Sequence, residues 1–155
     1  MTDDRDEQFM WLALSEAEKG AGDGEVPVGA IIVMDNEVIA SAHNQPITLN
    51  DPTAHAEILA IREAAEKIGN YRLSGGTIYV TIEPCIMCIG AILQARLSRI
   101  VYGAEDPKFG GVSSLIDLSR IKGLNHKPEI TRGVLAREAS ALIQSFFEQR
   151  RMNQE

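Results

Sequence analysis

The chain has 155 residues and a mass of 16.9 kDa, the size of one ordinary domain. Hydrophobic residues make up 45% and charged residues 24%, which excludes a disordered, low-hydrophobicity chain. The formal charge of −7 argues against a uniformly basic nucleic-acid binder, but it hides an asymmetry. Residues 1–70 carry a net −10 and residues 71–155 a net +3. A local basic surface on an acidic protein is therefore open, because fields act over about 8 Å in physiological salt.

Residues 8–20 place Phe9, Leu12, Ala13, Glu16 and Ala17 at helical spacing, and Gly20-Ala21-Gly22 ends the pattern. Gly29 to Met34 reads as a buried strand, Asp35-Asn36 as a turn, and Val38 to Ala42 as the returning strand of a hairpin. Asp51-Pro52-Thr53 has the form of a helix start, with proline just inside, ahead of His55-Ala56-Glu57-Ile58. Thr77 to Thr81 is a short β-rich run, and Pro84 opens an apolar helix reaching about Ala95. Ile100-Val101-Tyr102 makes another strand, residues 105–113 a glycine-rich loop, and Leu135 to Arg151 a closing helix. Strands alternating with helices predict a mixed sheet covered by helices, and no linker or repeat divides residues 1–155 into more than one domain. No apolar run reaches the roughly 18 residues needed to cross a bilayer. The acidic start Met1-Thr2-Asp3-Asp4 lacks the basic and apolar parts of a signal peptide, so the expectation is a cytoplasmic protein with no membrane partner.

The chemistry concentrates in two short segments. Cys85 and Cys88 are the only cysteines, which leaves a disulfide framework without material. Cysteines at i and i+3 on the first turns of a helix share one face, and the helix N-terminus favours thiolate. With His55 they make three zinc ligands, leaving a fourth tetrahedral position for water. Two other readings stand beside this one: a dithiol redox pair, and a closed structural site completed by His43 or His126. Glu57 lies about 200° around a helix from His55, so both address one site only if the helix points at it end-on from its first turn. A carboxylate so placed takes a proton from the attacking water and returns it to the substrate, which suits hydrolytic displacement of an amine from a ring.

His55-Ala56-Glu57 followed by Pro84-Cys85-Ile86-Met87-Cys88 resembles the zinc deaminase signature. Beyond it, Glu25-Val26-Pro27-Val28-Gly29-Ala30, Asp51-Pro52-Thr53-Ala54, Asn70-Tyr71-Arg72-Leu73, Asn125-His126 and Phe146-Phe147 with Arg150-Arg151 are similar to the bacterial tRNA-specific adenosine deaminases. The resemblance spans about Phe9 to Arg151. It implies a three-layer α/β/α cytidine-deaminase-like fold with a central mixed five-stranded sheet, and a homodimer with one Zn2+ per subunit. The implied reaction is adenosine to inosine at the wobble position of a tRNA anticodon, an arginine tRNA foremost, with no DNA in the native role.

By motif position the resemblance assigns His55, Cys85 and Cys88 to zinc and Glu57 to the proton shuttle. Asn44 would hydrogen-bond the base, or else close a turn. Asp106 and Lys108 would lie beside the flipped nucleotide, Asp106 through a ribose hydroxyl or else as the turn residue before Pro107. Phe146, Arg150 and Arg151 would meet the anticodon stem by stacking or phosphate pairing. Pro107 and Phe109-Gly110-Gly111 depart from the smaller residues expected in that loop, and Glu148 brings a negative charge to a helix end that is often more basic. The alternative within the superfamily is a deaminase of a free nucleobase or nucleoside, guanine or cytosine. Outside it, the alternative is a zinc-stabilised RNA-binding protein without catalysis.

Overall fold

The computed structural model describes residues 4–153. Five strands form one mixed sheet: β1 (Gly29–Met34), β2 (Glu37–His43), β3 (Thr77–Ile82), β4 (Arg99–Ala104) and β5 (Glu129–Thr131). Their order is β2-β1-β3-β4-β5, with β1 antiparallel to β2 and β3, and β4 parallel to β3 and β5. The β1–β2 hairpin turns at Asp35-Asn36, where both residues adopt positive φ (50° and 67°), the conformation that the twist of a two-residue hairpin demands.

Alternation along the strands sends side chains to two cores. On one face Ile31, Val33, Tyr79 and Val101 pack under Met10 and Ala13 of α1 (Asp4–Gly22). Ala139 of α5 (Ala136–Met152) joins Leu14 and Ala104 on the same side. On the other face Ala30, Ile32, Ile78, Val80, Ile100 and Tyr102 meet α3 (Ala56–Ile68) and α4 (Ile86–Gln94). The α3 contact runs through Ala56, Ala60 and Ala64, an i, i+4 row of small residues that lets the helix lie close to the sheet. The predicted helix–sheet–helix layering is thus observed, with the five-stranded mixed sheet at its centre. Gly29 is required where α1 crosses β1, because a Cβ there would run into the Ala13 carbonyl.

Three local expectations are corrected. Asp51-Pro52-Thr53 does not begin a helix: Asp51 Oδ1 accepts from Thr53 N–H (2.8 Å) and Oγ1 (2.7 Å), closing a turn. The helix starts at Ala56, with His55 as N-cap. The proline-initiated helix is instead the short α2 (Pro46–Leu49), which begins with Pro46. The strand β5 lies where the linear reading placed none.

A buried acid ties α2 to the segment preceding β1. Glu25 is 1% exposed and accepts from Ile47 N–H (3.3 Å), Thr48 N–H (2.7 Å) and Thr48 Oγ1 (2.7 Å). Burial pushes its carboxyl up, but the Thr48 and Ile47 bonds outweigh this and hold it below its ordinary 4.5. The unfolded chain therefore binds this proton more readily than the folded one. The contribution is present above pH 4.5 and is lost as pH falls from there through the folded value. Glu25→Gln should give a melting temperature that falls less between pH 6 and about pH 4 than the wild type's; parallel curves would remove Glu25 from the acid response.

Candidate active site

The N-termini of α3 and α4 converge beside the carboxyl ends of β3 and β4, the end of an α/β sheet where ligands usually bind. His55 caps α3 and Cys85 caps α4, both with extended backbone and neither making a side-chain cap bond. Their side chains are therefore available to each other. His55 Nδ1 lies 3.6 Å from Cys85 Sγ and 3.6 Å from Cys88 Sγ. Tetrahedral zinc with bonds of about 2.0 Å to nitrogen and 2.3 Å to sulfur sets that edge at about 3.6 Å. The donor set and its spacing fit zinc, and among the described residues this is the one group of three metal-binding side chains so placed.

The electrostatics agree with a cation site. Cys85 is held down to about 4, first by the hydrogen bond from the Cys88 thiol and further by His55. Cys88 is pushed up by that same hydrogen bond, by burial and by the charge of Glu57. Two sulfurs sharing one proton in this way need a cation between them before both ionise. His55 is raised, chiefly by its hydrogen bond to Cys85. Glu57 is 4% exposed in the first turn of α3, and burial raises its carboxyl toward the protonated form. It makes side-chain contact with Cys88. The end-on geometry expected of His55 and Glu57 is present.

The two fourth-ligand candidates for a closed structural site are occupied elsewhere. His43 Nδ1 lies 3.0 Å from Glu16 Oε2, and His126 Nε2 lies 2.7 Å from the Leu97 carbonyl. Neither histidine joins the His55, Cys85 and Cys88 group. His55, Cys85 and Glu57 line instead a cleft of about 770 Å³, ample for a purine nucleoside.

Asn44 lines the cleft, and its Oδ1 accepts from the Ala56 N–H at 2.8 Å, fixing the first turn of α3. Asp106 and Lys108 lie on the rim; Asp106 Oδ1 accepts from Lys108 N–H (3.2 Å) and Phe109 N–H (3.3 Å) and so shapes the turn. Phe146 is not among the lining residues. Phe147 is, 40% exposed, with Phe146 set edge-on behind it at 5.4 Å. The Arg150 guanidinium lies 5.6 Å over the Phe146 ring, an exposed cation–π contact.

Sequence reasoning gave no role to Glu83 and Phe109. Phe109 is 63% exposed on the rim. Glu83 is 2% exposed and accepts hydrogen bonds from the loop after β4. Burial raises its carboxyl, and the Ser113 N–H with the other loop donors more than offsets this, leaving it below the usual range. The signal was its place immediately before Pro84-Cys85.

Residues 4–151 match the family model described as MafB19-like deaminase. The chain is 48% identical over 147 residues to the tRNA-specific adenosine deaminase of Haemophilus influenzae, covering 94% of this chain and 85% of that one. Among solved structures, one from work on A-to-I editing by tRNA:A34 deaminases at the wobble position of transfer RNA superposes with a TM-score of 0.84. It is 45% identical, over 87% of this chain and 98% of that one. A guanine deaminase from Bacillus subtilis aligns at 33% identity and a TM-score of 0.63, over 92% and 93% of the two chains. The sequence match and the superposition agree with the site, and the chain belongs to the deaminase family that contains the tRNA-specific adenosine deaminases.

Proposed function

We propose that this protein hydrolyses adenosine to inosine, with release of ammonia, at the wobble position of a tRNA anticodon, an arginine tRNA foremost. The observation that carries the reading is the buried Glu57 carboxyl beside a three-donor metal cluster, at the floor of a cleft whose rim bears Lys108, Phe109 and Phe147. His55, Cys85 and Cys88 would hold Zn2+, one ion per subunit, which when bound supplies a Lewis acid able to bring the pKa of a water toward about 7.

The residues of the chain do the rest. The adenine leaves its stack and enters the cleft, where Asn44 orients it through its carboxamide. Glu57 accepts a proton from the attacking water and delivers it to ring N1 as the new bond forms at C6. It then carries a proton to the departing amine, so ammonia leaves and the C6 oxygen remains as the inosine carbonyl. The walls formed by Val26, Val28 and Ile82 are apolar, which strengthens these proton transfers by excluding water. Asp106 and Lys108 would hold the nucleotide's ribose and phosphate, and Phe146 and Arg150 would back the anticodon stem with Phe147.

The whole of 1–155 reads as one deaminase domain acting on an anticodon stem-loop. A homodimer is supported by apolar side chains left exposed on α2 and the first turn of α4: Ile47 (60%), Leu49 (49%) and Ile86 (48%). Sedimentation equilibrium should return twice the chain mass; a monomer at micromolar concentration contradicts the dimer.

Guanine deamination is the reading the Bacillus subtilis neighbour favours, and the lower identity and TM-score weigh against it. Comparing kcat/KM on a wobble-adenosine stem-loop with that on free adenosine, guanine and cytosine separates the two. The stem-loop should exceed every free base by orders of magnitude, and a preference for guanine would overturn the reading.

A further inference from the structure

Glu83 is a second buried acid at the cleft, and the chemistry above gives it no part. Its carboxylate accepts five hydrogen bonds, all from the segment after β4. Oε2 takes the N–H groups of Val112 (3.0 Å), Ser113 (2.9 Å) and Ser114 (3.1 Å); Oε1 takes Asp106 N–H (3.2 Å) and Ser114 Oγ (2.5 Å). Three consecutive amides closing on one oxygen make the concave backbone cradle that binds anions. Here the anion is internal to the protein.

The donors come from both ends of residues 106–114, so one side chain fixes the whole excursion. A backbone bridge between Cys85 and Gly110 fastens the same segment to the metal-ligand strand end, through the bond from Gly111 N–H to the Pro84 carbonyl (2.7 Å). Gly110 has no room for a side chain, since a Cβ would strike the Glu83 carboxylate. From this clamped segment Asp106, Lys108 and Phe109 face the cleft. By contrast, α3 is set by Asn44 and the sheet, so Glu57 keeps its position without Glu83.

We propose that Glu83 is a positioning residue for RNA: its buried carboxylate holds the 106–114 segment in the shape that grips the nucleotide around the reacting base. The inference rests on the RNA reading above. It assigns Glu83 to substrate affinity rather than to the chemical step, because the segment it holds supplies the rim and not the proton carrier.

The test is steady-state kinetics on the wobble-adenosine stem-loop with zinc-loaded protein. Glu83→Gln replaces one acceptor oxygen by an amide that faces the loop donors. It should raise KM by about tenfold or more while kcat stays within about threefold, since bonds to charged groups are strong, and zinc per chain should not change. Ser114→Ala removes only the Oγ bond and should raise KM by about threefold; it serves where Glu83→Gln fails to fold. Gly110→Ala displaces the carboxylate and should shift KM the same way. A merely structural role would lower the active fraction, and so the apparent kcat, at unchanged KM. That result in Glu83→Gln, or an unchanged KM in Ser114→Ala where Glu83→Gln does not fold, overturns the inference. Wild-type protein that makes no inosine from the stem-loop overturns the RNA reading and this inference together; inosine with unaltered KM in the variants overturns the inference alone.

Discussion

Glu57→Gln should keep one zinc per chain and lose about three orders of magnitude in turnover, the scale of a positioned general acid–base. The substitution preserves shape in the first turn of α3 and leaves His55, Cys85 and Cys88 intact, so metal content by atomic absorption should match the wild type. What it removes is a carboxyl 4% exposed whose ionisation is suppressed by burial. A carboxyl group at that position can take a proton from the attacking water and pass it to a ring nitrogen, and an amide does neither. Glu57→Ala should fall at least as far. A variant working near the wild-type rate would show that another group carries the protons.

The second large effect is on the metal. Cys88 has no exposure and shares its contacts with Cys85 and His55, so Cys88→Ser removes a soft ligand that nothing nearby replaces. The variant should purify without stoichiometric zinc, turn over at background, and melt below the wild type, because metal bound only to the folded state adds to stability. Chelation of the wild type should lower its melting temperature in the same direction, and added zinc should restore it. His43→Ala and His126→Ala should retain full zinc, as their imidazoles face Glu16 and Leu97. Zinc lost from either would indicate a four-ligand structural site and sink the open-site account.

The parts of this architecture that were legible in the sequence are those whose causes are local. Cys85 and Cys88 are one helical turn apart, so spacing alone brings their sulfurs to a common point, and His55 and Glu57 share a site because α3 presents its first turn to it end-on. The hairpin was legible for the same reason: a buried run, a two-residue turn and a returning run. What failed depends on distant partners. The start of α3 is set by Asn44, twelve residues upstream, whose Oδ1 accepts from the Ala56 N–H, so the local Asp51-Pro52 signal misled. The three residues of β5 are held by pairing with β4, by the Arg99 Nη2 bond to Thr131 Oγ1 (2.8 Å) and by Ile130 packing on the core. Glu83 finds its donors 23 to 31 residues away in a loop, and no spacing rule exposes such a bond. Phe146 and Phe147 differ by one step of about 100° around α5, and only the packing of that helix decides which ring reaches the cleft.

The most direct measurement of the central claim uses an arginine tRNA transcript with adenosine at the wobble position. Wild-type protein is supplied as purified, after chelation, and after zinc is returned, and the digested nucleosides are weighed by mass spectrometry. The account predicts inosine at that one position, lost on chelation and recovered with zinc. Inosine that persists in metal-free protein, or an adenosine left unchanged by the zinc-loaded form, would contradict it.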